Sequence, residues 1–405
     1  MTRRVRALPP PSPWSRLWRF ATTAIPGGGS ALNGTPFAPV STVTHRILLA
    51  LTAALAVMAS GCGRPATAPE PDVPLTFEQP LCTGNVPRPC LPPSRVEAWL
   101  RDPALRIVDS DRAHRGIQKA VVLTLSTRSE GHPIVFRAKW RPQSAAKTNY
   151  SEPRVAIATY ALQKRLVSEA QYVIPPTVGH CFDLGSYRLA VDAEATPTGT
   201  GGACVWGSLS YWLESVRQLD EVEGEDWYHH DEGYDQDLYG RSQVYRNAIS
   251  TINLLTYLAR SGDAHRNQFL IRPDPLDPHV YLVDNSMGFG AKVNSDLVGT
   301  GGDWTQVLAD LPAEPLEVLF SWEAADYREL QSIERYRLVG GRLEPMQDAA
   351  QPTEPIGHAP DGLTARDGVL HVGLTDVEIA AVRGRVEQLK SMRRHGQLKV
   401  VRLRR

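Results

Sequence analysis

The sequence lacks the short signatures of several enzyme classes. It has no G-x-S-x-G nucleophile elbow, no H-E-x-x-H helix and no Walker G-x-x-x-x-G-K-[ST] loop, which argues against the common serine hydrolases, zinc metalloproteases and P-loop nucleotidases. Cysteine is scarce, with 5 in 405 residues and none in a C-x-x-C pair, so a zinc site is the weaker reading of those cysteines. No internal repeat is present. Acidic residues are absent from residues 1 to 61, where six arginines lie. The rest of the chain is therefore net acidic, and no extended nucleic-acid-binding surface is expected.

What is present near the N-terminus points to export. His45 and Arg46 precede the apolar run ILLALTAALAVM, which ends in ASGC at Cys62. That run falls short of the roughly 20 residues that span a bilayer, and its basic flank and small-residue end read as a signal peptide over residues 1 to 61. The small-residue triplet before Cys62 resembles the lipobox of bacterial lipoproteins, which implies an acylated Cys62 and a membrane anchor. Residues 1 to 39, rich in Pro, Gly and Arg, do not look like a signal-peptide start, so a start near Val40 is expected. Cys82, Cys90, Cys181 and Cys204 remain, an even set suited to two disulfides in an oxidising compartment. Proximity favours Cys82 with Cys90 and Cys181 with Cys204.

Residues 62 to 92 carry the Pro-rich GRPATAPEPDVPLTFEQP, which suits a tether. The folded body begins near Pro93, where SRVEAWLRD predicts a helix capped by Ser94 with Glu97 as its capping-box partner. KAVVLTLST and PIVFRAKW, joined by SEGH, predict a β-hairpin. Val155, Ala158, Leu162 and Leu166 predict a helix from Glu152 to Val167, with Ser151 as cap and Pro153 in the first turn. YVIPPTVG and YRLAVDAEA read as strands. The second half reads as mostly helical: a buried helix with Val244, Ala248, Ile252, Leu255 and Ala259 on one stripe, then helices in PLEVLFSWEAADYRELQSIERYRL and LTDVEIAAVRGRVEQLKSM. The short strands FLI and VYLVD interrupt it, and KVVRLRR reads as a strand or a frayed tail.

This order places a strand lysine, a helix, further strands, and then a helix leading into the polar loop GDAHRNQ ahead of an Asp at a strand end. Phosphoryl transfer needs such parts: a cation for the phosphates, a carboxylate for the attacking hydroxyl, and a second carboxylate for a divalent metal. Lys119, Lys139, Asp263 and Asp284 are the candidates. Arg137 lies on the same strand face as Lys139 and is an alternative to it. The acidic stretch from Glu223 to Asp237, around His229 and His230, reads as a solvated loop rather than a metal site, or as a surface for a basic substrate.

The segments GIQKAVVLTL, PIVFRAKW, VAIATYALQKRL, VIPPTVG, GACVWGSLSYW, GDAHRNQFLI and VYLVDNSMGFG stand in an order similar to that of the secretory-pathway Golgi casein kinase family and its bacterial relatives. The Pro-Pro pair, the Cys-x-x-Gly strand and Asp-Asn-x-x-Gly-Phe carry most of the resemblance, which spans roughly residues 105 to 295. It implies an α+β, bilobal protein-kinase-like fold, with a mixed α/β N-terminal lobe over 93–210 and a mainly helical C-terminal lobe over 211–405. It further implies ATP and Mg²⁺ or Mn²⁺ as cofactors and a protein or glycan hydroxyl as acceptor. Lys119 and Lys139 would contact the nucleotide, with Glu152 as the nearest acid for the helix glutamate of such enzymes, standing one turn early. Asp263 would be the catalytic base and Asp284 the metal ligand. Asn267, four residues after Asp263 rather than five, would be a second metal ligand, and His265 would order the loop. A pseudokinase and an ATP-dependent nucleotidyl transferase are the alternatives on the same fold.

Overall fold

The computed structural model describes residues 75–76, 79–86, 89–112, 121–143, 152–198, 202–229, 234–261, 264, 266–289, 310–346, 356–358 and 362–403. The expected signal peptide, the start near Val40, lipidation of Cys62, the Ser151 cap, and Lys119, Asp263 and His265 lie outside the described residues. Among the described residues, no helix is long and apolar enough to cross a membrane.

The chain is α+β. Strand β1 (Leu75–Thr76) precedes α1 (Pro93–Leu100), β2 (Arg106–Arg112), β3 (Val121–Ser129) and β4 (His132–Pro142). Helix α2 (Pro153–Leu166) leads to β5 (Thr177–Asp183), α3 (Leu184–Ala190) and β6 (Cys204–Tyr211). These strands form one sheet in the order β2-β3-β4-β6-β5, with β1 parallel to β4. The β3–β4 hairpin turns at Glu130 and Gly131, with φ of 54° and 84°, the left-handed pair that a two-residue hairpin loop requires. Alternation along β4 buries Ile134, Phe136, Ala138 and Trp140 on one face and turns Arg137, Lys139 and Arg141 to the other. Trp140 sits edge-on to Phe182 at 5.0 Å, a pairing worth about 1 kcal/mol beyond its burial.

Two local expectations fail here for identifiable reasons. Helix α1 has Pro92 at its N-cap and Pro93 at N1, and Ser94 makes no cap. Proline's fixed φ starts the helix without a side-chain cap, and Glu97 is drawn instead to Lys164 and Tyr160 of α2. YRLAVDAEA is not a strand, because the Asp183 carboxylate accepts from Ser186 N at 3.0 Å and so nucleates α3.

After β6 come β7 (Arg217–Gln218), α4 (Leu219–Val222), α5 (Gln236–Arg241), α6 (Gln243–Ala259), β8 (Phe269–Arg272) and β9 (His279–Leu282). Helix α6 is capped by Ser242, whose hydroxyl accepts from Tyr245 N. All five predicted stripe residues are buried, and Ala248, Ile252, Leu255 and Ala259 lie in the main core with residues of α2, β8 and β9. The three short strands pair as β7-β8-β9.

Beyond Asp310 the chain forms β10 (Asp310–Pro312), α7 (Ala313–Phe320), α8 (Ala324–Glu329), β11 (Glu334–Val339), β12 (Arg342–Pro345), β13 (Leu363–Arg366), β14 (Val369–Val372), α9 (Asp376–Arg394) and β15 (Lys399–Val401). Among the described residues the second half is therefore a mixture of helices and strands. ERYRL, read as helix, is strand β11 of a four-stranded antiparallel sheet, β12-β11-β14-β13. Pairing with two neighbours outweighs the local helical preference of Glu and Arg. Tyr336 of β11 stacks edge-on against Trp206 of β6, and Glu334 accepts from Gly179 N at 2.9 Å. A side chain at Gly179 would collide with the Tyr336 hydroxyl. KVVRLRR resolves to a strand, with β15 parallel to β10.

Both disulfides form in the expected pairing, Cys82–Cys90 and Cys181–Cys204. They fit an oxidising, extracellular or periplasmic compartment. The second closes a loop of 23 residues between β5 and β6. A Cys181→Ser/Cys204→Ser double variant is expected to lose about 3 kcal/mol of stability. Urea unfolding under non-reducing conditions measures it, and an unchanged midpoint would contradict that expectation.

Candidate active site

Lys139 and Arg141 stand two residues apart on β4 and so project from one face. Both reach Asp284. Lys139 Nζ lies 2.9 Å from Asp284 Oδ2, and Arg141 Nη2 pairs with Oδ1. Arg137, the alternative to Lys139, is engaged elsewhere: it grips Glu214 through both oxygens and lies over the Trp212 ring. Arg141 was not anticipated, although the two-residue strand period places it beside Lys139.

Asp284 follows β9 in a left-handed conformation, with φ of 60°, which a non-glycine residue adopts at a cost and which is concentrated at functional sites. Its neighbours hold it there. Val283 N donates to Gln268 O at 2.8 Å, placing the turn just before β8 alongside the strand end. Asn285 Nδ2 donates to Leu282 O, and Ser286 Oγ donates to Asp284 Oδ1 at 3.3 Å. Phe289 N donates to Ala259 O at the end of α6, and the Phe289 ring is buried in the main core. A Cβ at Gly288 would press on Ala259 O.

The Asp284 side chain is 21% exposed. Burial alone would raise its pKa, but Lys139 and Arg141 outweigh burial and hold the carboxyl below the usual range. Asp284 is thus ionised at neutral pH, and with two cations against it the cluster carries net positive charge.

Neither a family model nor any curated protein matches the chain.

The remaining predicted residues divide. Glu152 is the N-cap of α2, and its N–H donates to Ser286 O at 2.9 Å, so the helix start touches the Asp284 turn. Its carboxylate, however, pairs with Arg154 at 2.5 Å rather than with Lys139. Asn267 is exposed, in the short turn before β8. In the acidic stretch, Asp235 is buried and caps α5, accepting from Leu238 N and His229 N. Among the described residues, no three His, Cys, Asp or Glu side chains gather as a metal cluster.

Proposed function

We propose that the chain is an exported, metal-dependent phosphotransferase with a bilobal kinase-like fold, moving the γ-phosphoryl group of ATP to a hydroxyl of a protein or glycan. The observation that carries this reading is the convergence of Lys139 and Arg141 on an ionised, left-handed Asp284. Two guanidinium or ammonium groups on one strand face suit phosphate oxygens, and the opposed carboxylate suits a hard divalent ion. The donors fit Mg²⁺ or Mn²⁺, which take few carboxylates and complete their shell with water and phosphate oxygens; Asp284 would hold the ion, with Ser286 beside it and Asn267 as the second ligand that the resemblance implies. The bound ion would supply charge neutralisation to the transferring phosphoryl group.

In this reading Lys139 and Arg141 turn from Asp284 to the nucleotide phosphates, and their ion pairs with that carboxylate keep both side chains aimed into the site. Lys119 would add a further phosphate contact. Asp263, four residues after α6 in the sequence, would orient the acceptor hydroxyl and take its proton; that role rests on its place in the sequence. The disulfides agree with an exported protein, and a lipid on Cys62 would hold it at a membrane.

One observation favours a second reading, a pseudokinase that binds without catalysis. Glu152 pairs with Arg154 and Lys139 with Asp284, so these two described residues do not form the strand-lysine to helix-glutamate pair of active kinases. Incubating the purified protein with ATP and Mg²⁺ or Mn²⁺ and weighing the products separates the possibilities. Added phosphate supports the kinase, and added AMP points to nucleotidyl transfer. Metal-dependent ATP binding without product supports the pseudokinase, and no nucleotide binding defeats every one of them.

A further inference from the structure

The mouth of the candidate site is tied to a distant part of the chain through one buried arginine. Arg154, at the second position of α2, is only 2% exposed. Its Nη1 and Nη2 donate to Glu378 Oε2 and Oε1 at 2.8 and 3.0 Å, and Nη1 also reaches Gly373 O at 3.3 Å. On its other side Arg154 pairs with Glu152. Burial alone would lower the pKa of Arg154, but Glu378 and Glu152 hold it above the ordinary value. It is therefore a permanent cation between two carboxylates.

Both acidic residues have second duties. Glu378 Oε2 accepts from Thr375 N and Oγ1 at the start of α9, so the ion pair is also part of that helix's cap. Glu152 donates its backbone N–H to Ser286 O, two residues past Asp284. Gly362, at φ 66°, leaves the space the arginine fills, since a Cβ there would lie 2.6 Å from Arg154 Cδ and Nε. The chain of contacts runs from α9 through Glu378, Arg154 and Glu152 to the Asp284 turn, without a gap.

We infer that Arg154 is a positioning residue: with Glu378 it clamps the start of α2 to α9 and thereby holds the Asp284 turn in place. A helix glutamate paired to Lys139 would fix α2 from the strand side. Here the start of α2 is fixed by α9 instead, through Arg154 and Glu378. The inference deepens the phosphotransferase reading in its kinetic consequence, but its structural core stands apart from that reading.

The test uses the full chain. Replacing a buried ion pair with apolar side chains of similar volume tends to preserve the fold, so the main variant is Arg154→Met/Glu378→Leu. Glu378→Gln, which keeps the shape and the Thr375 acceptor, is the conservative partner. Hydrogen exchange is read at the amides of Glu152 and Phe289, with Ile252 in α6 as the internal standard. The double variant is expected to speed exchange at Glu152 and Phe289 at least tenfold relative to Ile252, and Glu378→Gln to speed it less. KM for the metal–ATP complex is expected to rise about tenfold, with a smaller change in kcat. Unchanged protection at Glu152 and Phe289 in a folded double variant overturns the inference. If the wild type uses no ATP, the phosphotransferase reading fails while the exchange measurement still decides the clamp.

Discussion

Asp284→Asn is expected to lower ATP turnover by about 10³-fold, the scale on which a single preorganised electrostatic group contributes. Asparagine is the informative replacement because it tolerates the left-handed backbone that Asp284 adopts, whereas alanine would add backbone strain to the loss of charge. Without the carboxylate, Lys139 and Arg141 lose the negative charge that lies between them, and their side chains are only 24% and 11% exposed. Some loss of thermal stability is therefore expected too, which circular dichroism separates from the catalytic effect. Lys139→Met should act differently, raising KM for ATP while leaving Arg141 to hold part of the charge. Turnover of Asp284→Asn within tenfold of wild type would remove Asp284 from the machinery.

Mild acid is expected to destabilise the protein steeply, and two buried histidines are the reason. Burial lowers the His180 pKa to about 4, offset only in part by its contact with Leu100 O. Burial, and then the nearby Arg272, lowers His279 to about 3. His279 faces Tyr172 O through Nε2 at 2.9 Å, while its Nδ1 is buried without a hydrogen-bond partner, so a second proton would have no acceptor. Both folded values lie below the unfolded value of about 6.5. The unfolded chain therefore binds more protons as pH falls below that value, and stability falls with it, by up to about 1.4 kcal/mol per pH unit for each histidine.

Together the two histidines give a slope of about 3 kcal/mol per pH unit, and about 6 kcal/mol is lost by pH 4. That is comparable with the whole stability of many domains. Asp284 contributes in a different window, because its folded pKa is depressed: its stabilisation is present above the unfolded value near 4 and is lost only as pH falls through the folded one. Urea unfolding from pH 7.5 to 4.5 measures the histidine slope. His279→Gln, whose amide can still donate to Tyr172 O, should roughly halve it, and a flat profile in the wild type would refute the account.

The parts of the fold set by short-range pattern could be read directly. The β3–β4 hairpin, α2, α6 and α9 each carry a period, a turn or a cap within a few residues, and each forms close to where that pattern places it. The β11–β14 sheet was missed because ERYRL alternates too weakly to show a strand before its partners are known. The candidate site divides the same way. Lys139 and Asp284 stand out by position on a strand and at a strand end, and Arg141 follows from the same two-residue period. Arg154 offered no signal at all, since its importance comes from Glu378, 224 residues away.

That separation also bears on the order in which the protein can be completed. At about 5–20 residues per second of synthesis, the residues between Arg154 and Glu378 emerge over about 11–45 s. Until then Arg154 has no Glu378 to pair with, so it cannot be buried in its final state, and the start of α2 and the Asp284 turn must wait with it. The chain thus finishes its candidate site last, and a product cut short before α9 would keep both disulfides yet lack a settled site.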